Sequence, residues 1–219
     1  MYKKILDIIL ILLVVAAAVT GGFYGYDYYK EYTTEKEAGE AAELFEKAIE
    51  DMIAEQVVVE EEPTSEEPST PKPGGSGGGS GTTTVPLKYG GYNVLGVIKI
   101  KKINISYPIL EENTINSLNK SVAKLYGGDL NEPGNVVISG HNNRNGRFFS
   151  NLHKVNIGDK IEIIDTKGRT VIYTVYSKYE TTPEDTVYMT RNTEGKIEIS
   201  LSTCNNDTTK RLIVLATAD

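Results

Sequence analysis

Between Val94 and its last residue the chain carries seven short runs, most of them rich in β-branched residues and bounded by Gly, Asn, Asp or Pro. They are Val94 to Ile100, Ile103 to Tyr107, Asn135 to Ser139, Lys160 to Asp165, Arg169 to Tyr179, Lys196 to Ser202 and Arg211 to Thr217. Side chains branched at Cβ suit a pleated strand, and the bounding residues suit turns. Helical spacing is confined to Thr114 to Tyr126, where Ile115, Leu118, Val122 and Leu125 share a face, and to a short turn near Phe148 to Leu152. Many short strands with few helices predict a mainly β, mostly antiparallel barrel or sandwich over residues 85–219.

What precedes that unit is organised differently. Ile5 to Val19 is apolar except for Asp7, and the stretch runs on through Phe23 to Tyr24, Tyr26, Tyr28 and Tyr29. Its length is close to the roughly 20 residues that span a bilayer. Lys3 and Lys4 precede it, so the positive-inside rule keeps the N-terminus in the cytoplasm and exports the rest. A cleaved signal peptide is the competing reading, because Ala16, Ala17 and Ala18 supply small residues of the kind a signal peptidase accepts. The length favours a retained anchor over residues 1–29 and a single-pass plasma-membrane protein.

Residues 30–56 read as an extracellular stalk helix, with Ala38, Ala41, Ala42, Leu44, Phe45, Ala48, Ile49, Met52 and Ile53 on a helical period among acidic residues. The stripe suits either a docking surface or a solvated spacer, and with barely three heptads the spacer is preferred. Residues 57–84 change to Glu, Pro, Ser and Thr and then to a Gly/Ser run, a linker composition shared by natural and engineered joints. The net charge of −7, with no basic stretch longer than a lysine pair, argues against nucleic acid as a partner.

Chemistry enters with Cys204, the single cysteine. An exported chain with one thiol has no internal disulfide, so that thiol is buried filler, an intermolecular link or a nucleophile. A cysteine nucleophile needs a basic or cationic partner. His141 follows the run that ends at Ser139, and Arg211 opens the last run. All three residues therefore fall at strand ends, where a sheet presents side chains to a common cleft.

The motif Leu201-Ser202-Thr203-Cys204, the upstream Ser139-Gly140-His141-Asn142 and Arg211 together resemble the sortases, cysteine transpeptidases of the Gram-positive cell surface. Gly146 to Leu152 and Asn156 to Ile161 are similar to the connection and strand that follow the sortase histidine. Ser200 stands where the family's common motif has threonine, a mild departure.

The resemblance implies an eight-stranded β-barrel with short helices. It implies cleavage of a Leu-Pro-x-Thr-Gly-like sorting signal between Thr and Gly through a thioacyl enzyme. The acyl group then passes to an amine of a cell-wall precursor or pilin subunit. It casts Cys204 as nucleophile, His141 as acid and base, Arg211 as the group that holds substrate and stabilises the oxyanion, and Thr203 as a substrate contact. The implied partners are sorting-signal-bearing surface proteins, the acceptor amine and the membrane.

Two features point to class A, D or E rather than B or C. The connection between Tyr179 and Lys196 is short, and no Asp-Pro lid precedes the domain. Glu111, Glu112 and Asp129 follow no calcium-loop spacing, so no metal or other cofactor is expected. Two alternatives remain: a peptidase that uses the same residues and passes its acyl group to water, and a non-catalytic surface module whose barrel displays binding loops while Cys204 is buried.

Overall fold

The computed structural model of the chain describes residues 2–60 and 87–219. It divides into two compact units, residues 1–37 and 38–219. A continuous helix, α1 (Tyr2–Glu60), contributes to both. The expected linker begins inside this helix, since residues 57–60 are still helical, and 61–84 lie outside the described residues.

In the first unit α1 exposes Leu6, Ile8 to Val15, Val19 and Phe23 along its length, each more than half accessible. Among the described residues this is one helix long and apolar enough to cross a membrane. A hydrocarbon environment removes the cost of exposing those side chains, as water does not.

In the second unit the sheet runs through β1 (Lys88–Tyr89), β2 (Tyr92–Ile100), β3 (Ile105–Leu110), β4 (Val122–Tyr126), β5 (Gly134–Ser139), β6 (Lys160–Asp165), β7 (Thr170–Thr181), β8 (Ile197–Cys204) and β9 (Arg211–Ala218). Their spatial order is β1-β2-β3-β4-β5-β8-β9-β7-β6, and β2 also pairs with β6. That last pairing closes eight strands, β2 to β9, into a barrel, with the two-residue β1 laid on its edge. Closure removes the exposed edges that an open sheet would leave. The interior is filled by Ile98, Ile109, Ile138, Phe149, Ile163 and Leu201, among others.

Each of the seven runs read from the sequence contains a strand, although the run expected from Ile103 to Tyr107 opens in a 3-10 turn over Lys101–Ile103 and becomes strand from Ile105 to Leu110. The eighth barrel strand, β4, falls where helical spacing was expected. Only Ile115–Leu118 forms a helix, α2, capped by the Thr114 hydroxyl, which accepts from the Ser117 amide at 3.1 Å. Val122–Tyr126 instead pairs in parallel with β3 and antiparallel with β5. The spacing of Ile115, Leu118, Val122 and Leu125 fits a helix by coincidence: Ile115 is 76% exposed, whereas Val122 and Ala123 are fully buried by sheet pairing.

The stripe on α1 is not a solvated spacer face. Ala42, Phe45 and Ile49 form one buried cluster with Val94, Val97, Leu110, Ala123 and Ile164 on the outside of β2, β3, β4 and β6. Burying a side chain the size of Phe45 contributes about 1.5–3 kcal/mol. Glu46 pairs with Lys99 of β2 at 2.5 Å beside this cluster.

Candidate active site

The ends of three neighbouring strands carry the three candidate residues. β5 and β8 are parallel, with Ser139 opposite Ser202. Past that pair Gly140 N donates to the Ser202 carbonyl at 3.2 Å and the Thr203 hydroxyl donates to the Gly140 carbonyl at 2.7 Å, with His141 and Cys204 each next along their own chain. β8 and β9 are antiparallel, and Cys204 lies directly opposite Arg211.

Strand alternation then selects the face. Ile138, Leu201, Leu212 and Val214 point into the barrel. Val137, Ile213 and Leu215 point outward, where they pack under Tyr188. Cys204 and Arg211 share the parity of the outward set, and His141, two residues beyond the end of β5, stands near enough to Arg211 to feel its charge. A single outer edge of the barrel thus holds a thiol, an imidazole and a guanidinium.

Their electrostatics follow from that proximity. Arg211 Nη1 donates to Cys204 Sγ at 2.5 Å. Both side chains are partly exposed, so the pair can meet a ligand from outside. Burial, and next the Arg211 positive charge, hold the His141 imidazole below its ordinary value near 6.5. His141 is therefore neutral at neutral pH and able to accept a proton.

The histidine segment is fixed by close packing. A Cβ on Gly140 would lie 2.8 Å from Phe149 Cδ2 and 2.9 Å from Val122 Cγ1, so only glycine lets the backbone pass. Phe149 N donates to the His141 carbonyl at 3.2 Å, and Phe148 N to the Tyr107 hydroxyl at 3.3 Å. Thr203, expected as a substrate contact, is 3% exposed, and its hydroxyl donates to the Gly140 carbonyl at 2.7 Å. What Thr203 touches is the neighbouring strand.

One side of the outer face is walled by the connection between β7 and β8, which contains the short helix α3 (Val187–Thr190). Tyr188 sits on Val137, Ile213 and Leu215, and its hydroxyl lies 3.3 Å from Ser202 Oγ, two residues before the cysteine. A polar network anchors this wall. Asn135 Nδ2 donates to the Tyr188 and Met189 carbonyls at 2.9 and 3.0 Å, and Arg191 Nη2 donates to Asn135 Oδ1 at 2.9 Å. Arg191 Nη1 is ion-paired with Glu198, which also accepts from the Tyr176 hydroxyl at 2.9 Å. Burial, then the bond to Glu198, pushes Tyr176 up to about 12.

A cleft of about 300 Å³ is lined by Asn142 and Asn205, the residues that follow His141 and Cys204, together with His153, Glu180 and Asp207 among others. His153 is exposed there, with Nδ1 3.0 Å from the Ser150 carbonyl.

Sequence reasoning brought His141, Cys204 and Arg211 to one place but assigned nothing to Asn135, Arg191 or Glu198. Their contacts bring together β5, β8 and the wall, and no spacing within one strand signals such contacts. Asn142 was part of the quoted motif without a role.

The family model described as Sortase domain matches residues 98–219, more than half of the chain. No curated relative matches. Among solved structures, the Clostridium perfringens sortase D5 transpeptidase is 29% identical, with 57% of this chain and 79% of that one covered and a TM-score of 0.53. Sortase C of Clostridium perfringens with the C-terminal cell wall sorting motif is 28% identical, covering 57% and 70%, with a TM-score of 0.52. Streptococcus agalactiae sortase C1 in complex with MTSET is 25% identical, covering 57% and 69%, with a TM-score of 0.53.

These similarities correct the expected class. The likeness is to class C enzymes from several bacteria, alongside the D5 enzyme, and the preference for A, D or E over C does not stand. That preference rested on finding no Asp-Pro lid motif ahead of the domain and on the shortness of one connection. Both lie outside the barrel framework that carries the likeness, and such segments tolerate change far better than packed strands. The barrel, its strand-end thiol and the matched domain lead to one conclusion: this chain belongs to the sortase family and is a cysteine transpeptidase.

Proposed function

We propose that Cys204 is the nucleophile, His141 the proton carrier and Arg211 the oxyanion-stabilising group of a transpeptidase acting on a Leu-Pro-x-Thr-Gly-like sorting signal. The observation that carries this reading is the 2.5 Å contact from Arg211 Nη1 to Cys204 Sγ, with His141 at the adjoining strand end.

The cycle begins with neutral His141 accepting the thiol proton. Cys204 Sγ attacks the threonine carbonyl carbon, and the carbonyl π electrons move onto oxygen. As sulfur becomes covalently bonded its negative charge vanishes, and the Arg211 guanidinium is released to face the new oxyanion. Collapse breaks the C–N bond, and His141 gives its proton to the departing glycine amine. An incoming amine then attacks the thioester carbon, His141 takes the proton this amine sheds, and the thiol leaves with that proton. Splitting amide exchange into two acyl transfers lowers each barrier.

The acceptor in this reading is an amine of a cell-wall precursor or a pilin subunit. The likeness to class C enzymes supports it. The N-terminal part of α1 serves as a single-pass anchor, with Lys3 and Lys4 on the cytoplasmic side and the barrel outside the cell.

The test is product analysis with the full chain in detergent, a panel of Leu-Pro-x-Thr-Gly-like peptides, and a primary amine present or absent. Ligation that depends on the amine is expected. Release to water at the same rate with and without amine overturns the acceptor assignment.

A further inference from the structure

The backbone ladder between the histidine strand and the cysteine strand ends before the catalytic groups. Its last pair is Ser139 opposite Ser202, followed by Gly140 N donating to the Ser202 carbonyl at 3.2 Å. Parallel neighbours with no further ladder bonds are free to splay, and the splay would separate an imidazole from a thiol.

Side chains carry the connection past that point. Inside the barrel wall the Thr203 hydroxyl donates to the Gly140 carbonyl at 2.7 Å. Beyond the histidine, Asn142 Nδ2 donates to the Cys204 carbonyl at 2.9 Å and to Asn206 Oδ1 at 3.1 Å. Asn142 Oδ1 in turn accepts from the Arg144 amide at 3.2 Å. One amide group thus ties the residue after His141 to the backbone of Cys204, to the loop that leads to Arg211, and to its own loop.

A carboxamide suits the task because it offers two N–H donors and an acceptor on a short arm. Serine at this position would not reach both partners, and aspartate would present an acceptor to the Cys204 carbonyl. The Cys204 carbonyl belongs to the nucleophile's own peptide unit, so the tether fixes the thiol strand and the imidazole strand against each other at the reacting rung.

We infer that Asn142 is a positioning residue for the transpeptidation reaction, holding His141 in register with Cys204 through the Cys204 carbonyl. The inference rests on the proposed roles of His141 and Cys204. Asn142 touches neither substrate nor sulfur in this role; it acts through His141. Misplacement of a reacting group by about 1 Å costs up to 10²-fold in rate, so a loss in kcat is expected while substrate binding along the outer face is retained.

The test compares wild type, Asn142→Ala, Asn142→Asp, His141→Ala and Cys204→Ala in the full chain. Readouts are kcat and KM for peptide acylation, and the titration of the His141 imidazole by NMR in a His153→Gln background. Asn142→Ala is expected to lower kcat on the order of 10- to 100-fold with KM within about two-fold. The His141 midpoint is expected to rise towards the ordinary value as the ring leaves its buried place beside Arg211. Asn142→Asp keeps the size and the Arg144 contact but removes the donor, so its kcat falls as well; it serves if the alanine variant does not fold.

A kcat within about two-fold of wild type in a folded Asn142 variant overturns the inference, as does a lowered kcat with the His141 titration unmoved. If His141→Ala and Cys204→Ala retain activity, the assignment of the catalytic groups has failed instead. If those two are inactive while the Asn142 variants are not, only the positioning role has failed.

Discussion

Cys204 and Arg211 face each other across the last antiparallel rung of β8 and β9, with the guanidinium Nη1 2.5 Å from the sulfur. In the proposed roles, this contact holds the donor beside the nucleophile before substrate arrives. Pre-placed donors of this kind account for much of the rate enhancement in acyl transfer.

Replacing Arg211 separates charge from geometry. Arg211→Ala is expected to lower kcat about 10²- to 10³-fold, the usual cost of losing an oxyanion donor. Arg211→Lys keeps the charge but not the fork, and recovery of less than about 10-fold over alanine is expected. Steady-state acylation kinetics check both; an arginine needed for charge alone would be fully rescued by lysine.

The depressed His141 value makes folding stability depend on pH. As pH falls below about 6.5 the unfolded chain takes up a proton at this histidine before the folded chain does, which favours unfolding. The contribution of neutral His141 is complete above about 6.5 and is lost as pH falls from there through the lower folded value. Urea midpoints followed by near-ultraviolet dichroism should fall over that window, and His141→Gln should flatten this part of the curve. The chain has no tryptophan and 14 tyrosines, so tyrosine supplies the signal.

Gly140→Ala tests the packing that delivers the histidine. The added methyl would fall 2.8 Å from Phe149 and 2.9 Å from Val122, both buried in the barrel. Overpacking of this kind costs about 1–3 kcal/mol, and the backbone shift it forces lies one residue from His141. A lower thermal midpoint together with a drop in kcat is expected from calorimetry and kinetics on the same variant.

Glu198→Gln tests the wall beside the site. Glu198 and Arg191 are mostly buried, and Arg191 Nε has no hydrogen-bond partner among the described residues. Removing one charge of a buried pair destabilises by roughly 3–5 kcal/mol. The wall carrying Tyr188 should loosen, so KM for the sorting peptide should rise more than kcat falls. An unchanged KM in a destabilised protein would show that the network holds the fold but not the substrate face.

The strand signal was legible where local pattern and pairing agree, as in β5, β6, β8 and β9, whose β-branched runs are buried by neighbours on both sides. It failed at β4 because Val122 to Tyr126 is short and its order comes from pairing with β3 and β5, contacts that no local window contains. The stripe on α1 was legible as an amphipathic face, but its partner, the outer surface of β2, β3, β4 and β6, exists only once the barrel closes. Cys204, His141 and Arg211 were readable because each stands at the end of its own apolar run. Asn142 and the Arg191–Glu198 network were not, because their work is done between strands far apart in sequence.

The central claim is that Cys204 takes the acyl group. Intact-mass measurement of the full chain after reaction with a Leu-Pro-x-Thr-Gly-like peptide, trapped before amine is added, tests it most directly. A mass increase equal to the peptide's acyl portion, located on Cys204, lost in Cys204→Ala and discharged by added amine, is the expected result. Turnover of the same peptide by Cys204→Ala, or an adduct located on any other residue, would contradict it.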